Sequence, residues 1–218
     1  MGFLAISAWA AGSPRQEHIR YVVNWPTGLS LGEGELRASR ENGNWKLEFS
    51  LDASVPGFDV KDRFRSIATE ALCSVFLEKD SKHGSRKRKE TTTFSPATST
   101  AVRRTENGGG KSEFATPACA HDALTYLFRV RDELNRGRTP APQQIFFGAA
   151  YDIRMKLIGG KRIMISEAPV DTDHFRFTVK GKASLVEFDA YFTRDDSRTL
   201  ALVKVPFAMG TFSLEWVR

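Results

Sequence analysis

The sequence has no apolar run long enough to cross a bilayer as a helix, which takes about 20 residues. The stretch Phe3–Ala10 is far shorter. Cysteine is nearly absent: Cys73 and Cys119 are the only two, with four histidines. Neither CxxC nor a Cys/His ligand spacing occurs, so a four-ligand zinc site has no donor set. Gly108-Gly109-Gly110-Lys111 lacks the spacing and the following helix of a phosphate-binding loop, and reads as a hairpin turn. No RNP, zinc-finger or helix-turn-helix pattern accompanies the basic charge, which speaks against nucleic acid as a partner. Internal repeats and low-complexity linkers are also missing. No metal, cofactor or catalytic constellation is expected.

What remains is an ordinary globular composition. The 218 residues are 41% hydrophobic and 27% charged, enough for one domain with a real core. Sixteen Phe against four Tyr predict a core rich in aromatic packing. The net charge of +6 favours contact with anionic surfaces.

Period-2 alternation dominates the chain. Trp45, Leu47, Phe49 and Leu51 alternate with polar residues, as do Tyr151, Ile153, Met155 and Leu157. Phe175, Phe177 and Val179 repeat the pattern, followed by Val186, Phe188, Ala190 and Phe192, and then by Phe212, Leu214 and Trp216. Such strands bury one face and wet the other, as in antiparallel sheets. Asn42-Gly43, Gly159-Gly160 and Gly181 read as turns between strands. Roughly eleven or twelve strands at short, regular spacing predict a curved antiparallel sheet, a closed or half-open barrel, over residues 19–218.

One segment carries helical spacing instead: Leu124, Leu127, Val130 and Leu134. Asp122 can cap its start, Gly137 can end it, and Pro140 and Pro142 forbid continuation. A single amphipathic helix is expected over about 122–136. Its four apolar residues should be buried, with Arg129, Asp132, Glu133 and Arg136 in water.

Two readings bear on localisation. Ala8-Trp9-Ala10 has the small-x-small form of a signal-peptidase site, so residues 1–11 read as the remnant of a secretory signal peptide. The bland alternative is a frayed terminus or a short packed helix. An even cysteine count in an exported chain reads as a disulfide between Cys73 and Cys119, whereas in the cytosol both stay reduced.

Three clusters carry sharper readings. Lys82, Arg86, Lys87, Arg88 and Lys89 form the most basic run, a contact for anionic lipid or simply a solvated hairpin tip whose charges block edge-to-edge aggregation. Cys119-x-His121-Asp122 resembles a nucleophile beside a base. However, Asp122 has a capping role there, and a disulfide sulfur is no thiolate. His174 with Asp171 and Asp173 has metal-ligand chemistry, but such a junction is more often a turn with solvated charge.

Further motifs recur in a fixed order: Tyr21-x-Val23-x-Trp25 with Gly28 and Gly32, the helix from Asp122 to Arg131, and Phe147-Gly148 with Tyr151. Arg198, Leu202-Val203, Pro206, Gly210 and Glu215 follow near the end. Together they resemble a bacterial exported family, domain of unknown function 3108, from about Ile19 onward. Leu200 replaces a Pro usual in that family, and Phe192 replaces a Trp. The resemblance implies a periplasmic, β-rich domain and carries no catalytic residues. The function expected is non-enzymatic: a binding or carrier domain for a lipid or other apolar or amphipathic ligand, in cell-envelope maintenance. The alternative is an envelope scaffold with a filled core that recognises another protein.

Overall fold

The structure is a computed structural model that describes residues 15–55, 57–106, 109–207 and 210–218. The expected signal remnant at 1–11 lies outside the described residues. Eight strands come first: β1 (Glu17–Asn24), β2 (Ser30–Glu41), β3 (Asn44–Val55), β4 (Phe58–Ala68), β5 (Ser74–His83), β6 (Arg86–Ser95), β7 (Thr100–Thr105) and β8 (Lys111–Ala115). Helix α1 (Ala123–Asn135) follows. Six more strands complete the chain: β9 (Gln143–Phe146), β10 (Ala150–Ile165), β11 (Ala168–Lys180), β12 (Leu185–Thr193), β13 (Leu200–Phe207) and β14 (Gly210–Val217).

All fourteen strands form one antiparallel sheet in the order β8-β7-β6-β5-β4-β3-β2-β1-β14-β13-β12-β11-β10-β9. Each half of the chain is a local meander, and β1 pairing with β14 joins the halves. The edges β8 and β9 do not pair, so the barrel is half open. Side chains bridge the gap instead: Phe114 of β8 stacks on Phe146 of β9 at 5.5 Å, with Phe94 edge-on at 6.1 Å. The connector before the helix runs alongside, its Ala120 carbonyl accepting from Ser74 N–H and its His121 carbonyl from Phe146 N–H.

Turn chemistry explains most of the register. Asn42 and Gly43 both have positive φ, as a two-residue hairpin of the type I′ class demands. The reading of Gly159-Gly160 as a hairpin is corrected by the structure. β10 runs straight through both glycines, with a bulge between Leu157 and Gly159, and turns later at Ser166-Glu167. Those two residues adopt φ of 47° and 64° without a glycine or asparagine, so nothing in their identity announced a turn. Fourteen strands form among the described residues, against the eleven or twelve that the alternation suggested.

The helix matches its expected bounds. Asp122 is the N-cap, accepting from Leu124 and Thr125 N–H, and Gly137 has φ of 70° just past the end. Leu124, Val130 and Leu134 are buried and Leu127 half-buried. Asp132 and Glu133 are buried rather than solvated, contrary to the helical-face reading. The helix is wedged between two core clusters: Leu124 and Phe128 pack with Tyr21, Leu36 and Leu47, while Tyr126, Val130 and Leu134 pack with Ile153, Phe175 and Phe192. Only a narrow stripe is left over, and arginines roof it. Arg136 pairs with Asp132 at 2.9 Å, and Arg129 and Arg138 with Glu133 at 2.8 and 2.7 Å. Arg131, also buried, forks onto Glu17 and the Ser197 carbonyl, pinning the helix to β1 and the β12–β13 loop.

Cys73 and Cys119 are disulfide-bonded, with Cα atoms 4.7 Å apart. The bond fastens the start of β5 to the connector entering the helix. Replacing both cysteines by serine should lower the unfolding free energy by about 2–4 kcal/mol, seen as a lower denaturant midpoint. An unchanged midpoint would contradict a constraining role. His121, two residues on, is buried, and that burial first, with Arg129 nearby, holds its pKa down to about 4. A base depressed on folding contributes stability that is intact above its unfolded pKa near 6.5 and is lost as pH falls toward 4. The loss should approach about 3 kcal/mol between those limits. It should be largely absent in His121→Gln when urea midpoints are compared at each pH.

Candidate functional site

Because neighbouring strands are antiparallel, the hairpins β1–β2, β3–β4, β5–β6, β7–β8, β11–β12 and β13–β14 all turn at one end of the barrel. The helix lies at the other end. Its cap meets Ser66 and Ser74, near the far ends of β4 and β5, and Asn135 reaches the Asp196 carbonyl beyond β12. Directly paired residues face the same side of a sheet, so register identifies the inner face.

Near the helix, inward side chains are fully packed: Tyr21, Leu36, Leu47, Phe175 and Phe192 are all buried. Toward the hairpin end the inward positions stay apolar but lose their cover. Val23, Phe49, Phe64, Val179, Phe188, Val205, Phe212 and Leu214 are half-buried, and Val186 is 44% exposed. The helix therefore fills one end of the interior and leaves an apolar concave face at the other.

Toward the hairpin end, the inner wall supplied by β5–β7 is polar. Glu90, almost wholly buried, receives Lys79, Arg88 and Arg103, at 3.4, 2.6 and 3.7 Å. Burial pushes the Glu90 carboxyl up, but Lys79 and Arg88 hold it below the usual range, and burial lowers Lys79. The β9–β10 turn docks on this cluster. Lys79 lies over the Phe147 ring at 4.0 Å and donates to its carbonyl at 3.2 Å, Arg103 donates to the Gly148 carbonyl, and Phe147 sits edge-on to Phe64 at 4.9 Å. The Phe147-Gly148 motif thus has a physical role that its sequence did not disclose: it meets charged residues from strands far away in the chain.

The five basic residues of the β5–β6 hairpin are split by the pleat. Lys82, Lys87 and Lys89 face outward, and Arg86 and Arg88 inward. Arg88 is bound to Glu90, and Lys89 to Glu78 and Glu106 at 3.5 and 3.3 Å. On the outer face, a groove of 560 Å³ crosses β2–β5 among Glu33, Glu35, Asp52, Arg63, Arg65 and Glu78. It is a ladder of cross-strand ion pairs, such as Arg65 with Glu78 at 2.8 Å, in open solvent.

The other chemical clusters come apart. Cys119 is consumed by the disulfide, although His121 Nε2 is 4.0 Å from its sulfur, and Asp122 is buried in its cap. Asp171 pairs with Arg162, Asp173 with Arg194 and Arg198, and His174 lies 3.1 Å from Asp189. Those three residues therefore share no ligand set. Gly148 offers a sharp test of the polar wall. It has φ of 82°, and a Cβ there would lie 2.9 Å from Glu90 Oε2 and 3.1 Å from Lys79 Nζ. Gly148→Ala should cost about 1–3 kcal/mol in denaturant unfolding; a neutral effect would show that the turn is not held there.

A crystal structure of a β-barrel-like protein from Brucella abortus, of domain of unknown function 1849, is similar to this chain. Its TM-score is 0.68, and it covers 94% of this chain and 98% of its own at 4% identity. At that identity the likeness shows the fold alone. No curated protein matches. The family model described as protein of unknown function, DUF3108, matches residues 20–217, and this chain belongs to that family.

Proposed function

We propose that the protein is an exported, non-catalytic binding or carrier domain for an amphipathic ligand, serving the cell envelope. The observation that carries this reading is the gradient along the inner face. Inward residues are apolar along β3 and β12–β14, and along β1 and β11 except for Glu17 and Asp173 near the helix end, yet only that end is filled. An apolar surface left concave and half-covered gains about 25 cal/mol per Å² when a ligand removes it from water. The polar β5–β7 wall beside it, with Lys79, Arg88 and Arg103 around Glu90, suits a ligand with a charged or polar head. The Cys73–Cys119 disulfide fits an oxidising compartment such as a periplasm.

One observation favours a second reading, an interaction domain for another envelope protein. β9 covers only Ala150–Ile153 of β10, so Arg154–Ile165 leave an unpaired edge that a partner strand can extend.

Titration with an environment-sensitive fatty-acid probe tests the carrier reading. Wild type should show saturable binding, and Phe188→Asp, which puts a charge on the concave face, should weaken it at least roughly tenfold, the 1.4 kcal/mol step that losing one buried apolar contact exceeds. Absence of saturable binding at any salt concentration sinks the carrier reading and leaves the edge-strand reading in its place.

A further inference from the structure

The hairpin end has an exposed rim, where Val186 and Phe207 continue the inward face and Leu185 stands on the outward one. Seven large apolar side chains stand exposed among the described residues, and four of them are here: Leu29 at 67%, Leu185 at 66%, Phe207 at 60% and Val186 at 44%. They belong to tips that are neighbours in the sheet, β1–β2, β13–β14 and β11–β12.

These tips are built to hold their shape. Trp25 N–H donates to the Leu29 carbonyl, closing the β1–β2 loop. The Trp25 ring meets Phe212 edge-on at 4.9 Å, and Phe212 meets Phe207 at 5.3 Å. Gly210, at φ of 121°, lets Pro26 approach so closely that a Cβ would lie 2.6 Å from its ring. Two hairpins are thereby locked together, holding Leu29 and Phe207 at the rim on a firm base.

Charge at this end is one-sided. The loops, with the last two residues of each strand feeding them, hold seven cations and only two acids. Lys180 pairs with Leu185 across the ladder, Lys182 lies in the loop between them, and Arg104 and Lys111 belong to the β7–β8 hairpin. Lys82, Arg86 and Lys87 crown the β5–β6 tip. The acids are Asp59, which accepts from Ser54, and Glu106, which Lys89 neutralises.

From this juxtaposition we infer that the hairpin end docks on an anionic phospholipid surface. Leu29, Leu185 and Phe207 enter the interfacial layer, and the surrounding lysines and arginines meet lipid phosphates. Rigid apolar tips ringed by cations match such an interface in both respects, because apolar area supplies depth and each nearby cation adds attraction to anionic lipid. A protein partner with a flat apolar patch would satisfy the leucines but leave the ring of cations without counter-charge. The inference does not depend on a ligand occupying the interior. It would place the open mouth of the barrel against the membrane.

Flotation with phosphatidylcholine vesicles, with and without phosphatidylglycerol, tests it on the whole chain. Wild type should float with the anionic vesicles, more at low salt than at high, and remain behind with phosphatidylcholine alone. Lys180→Gln/Lys182→Gln should weaken anionic binding by about fivefold per lysine. Leu29→Ser/Leu185→Ser should weaken flotation with the anionic vesicles at every salt concentration. Circular dichroism checks that both variants are folded, and both should retain fatty-acid probe binding, since Lys180 and Leu185 face outward and Leu29 and Lys182 lie in exposed loops. Equal binding to both vesicle types, or wild-type flotation by the leucine variant, overturns the inference. So does a change of oligomeric mass in the leucine variant without vesicle binding by the wild type, which would assign the patch to a second copy of the chain.

Discussion

The carboxylate of Asp122 is shut away from water, and its surroundings decide whether the two halves of the molecule can be assembled around the helix. Oδ1 accepts from the N–H groups of Leu124 and Thr125, while Oδ2 accepts from the hydroxyls of Ser66 on β4 and Ser74 on β5. Its backbone N–H donates to the same Ser74 hydroxyl at 2.7 Å. Burial pushes its pKa up, and the four donors pull the other way. Each donor would be orphaned if the side chain were removed, and an unmet buried donor costs about 1–3 kcal/mol. The helix direction, the ends of β4 and β5, the disulfide three residues upstream and the bridge to Phe146 all converge on this one residue.

With that end fixed, the remainder of the interior is divided by chemistry. The strands from β10 round to β3 turn aliphatic and aromatic side chains inward, and β5–β7 turn a buried glutamate with its cations inward. The charged cluster is structural in one sense, because it seats the β9–β10 turn and brings the far edges of the sheet together. It also gives the concavity two unlike walls. That asymmetry underlies the reading of an amphipathic ligand, and the helix sets how deep such a ligand can reach.

Much of this was legible in the sequence because alternation is local. The inward rows at Trp45–Leu51, Phe175–Val179 and Phe188–Phe192 follow from period two alone, and Asp122 and Gly137 bracket the helix by their side-chain and backbone preferences. What escaped depended on partners distant in the chain. Asp132 and Glu133 looked solvent-facing because the helical wheel assumes one buried side, whereas this helix has sheet on both. The Glu90 cluster has no local signature, since Lys79, Arg103 and Gly148 come to it from two other strands and a turn. Ser166-Glu167 turns the chain with residues that seldom adopt positive φ, while the glycines at 159–160, which do so freely, are spent on a bulge. The split of the basic run into inward arginines and outward lysines was implicit in the two-residue Gly84-Ser85 turn, but only the register assigns which set faces the interior.

The junction of β1 with β14 has a consequence for the order in which the molecule assembles. Every other ladder joins strands close in sequence, so the two meanders can form early as local, rapidly closing units. Arg20 with Val217 and Asn24 with Ser213, by contrast, pair residues from opposite ends of the chain. Contacts of such high sequence separation carry the largest loop-closure entropy and come late on a folding route. Until they form, β1 and β14 each present a bare edge. A second molecule at the same stage carries a β14 of matching register. Exchange of that terminal strand between copies is therefore the misassembly that this topology invites, and the pace at which β14 finds its own β1 governs how often it occurs.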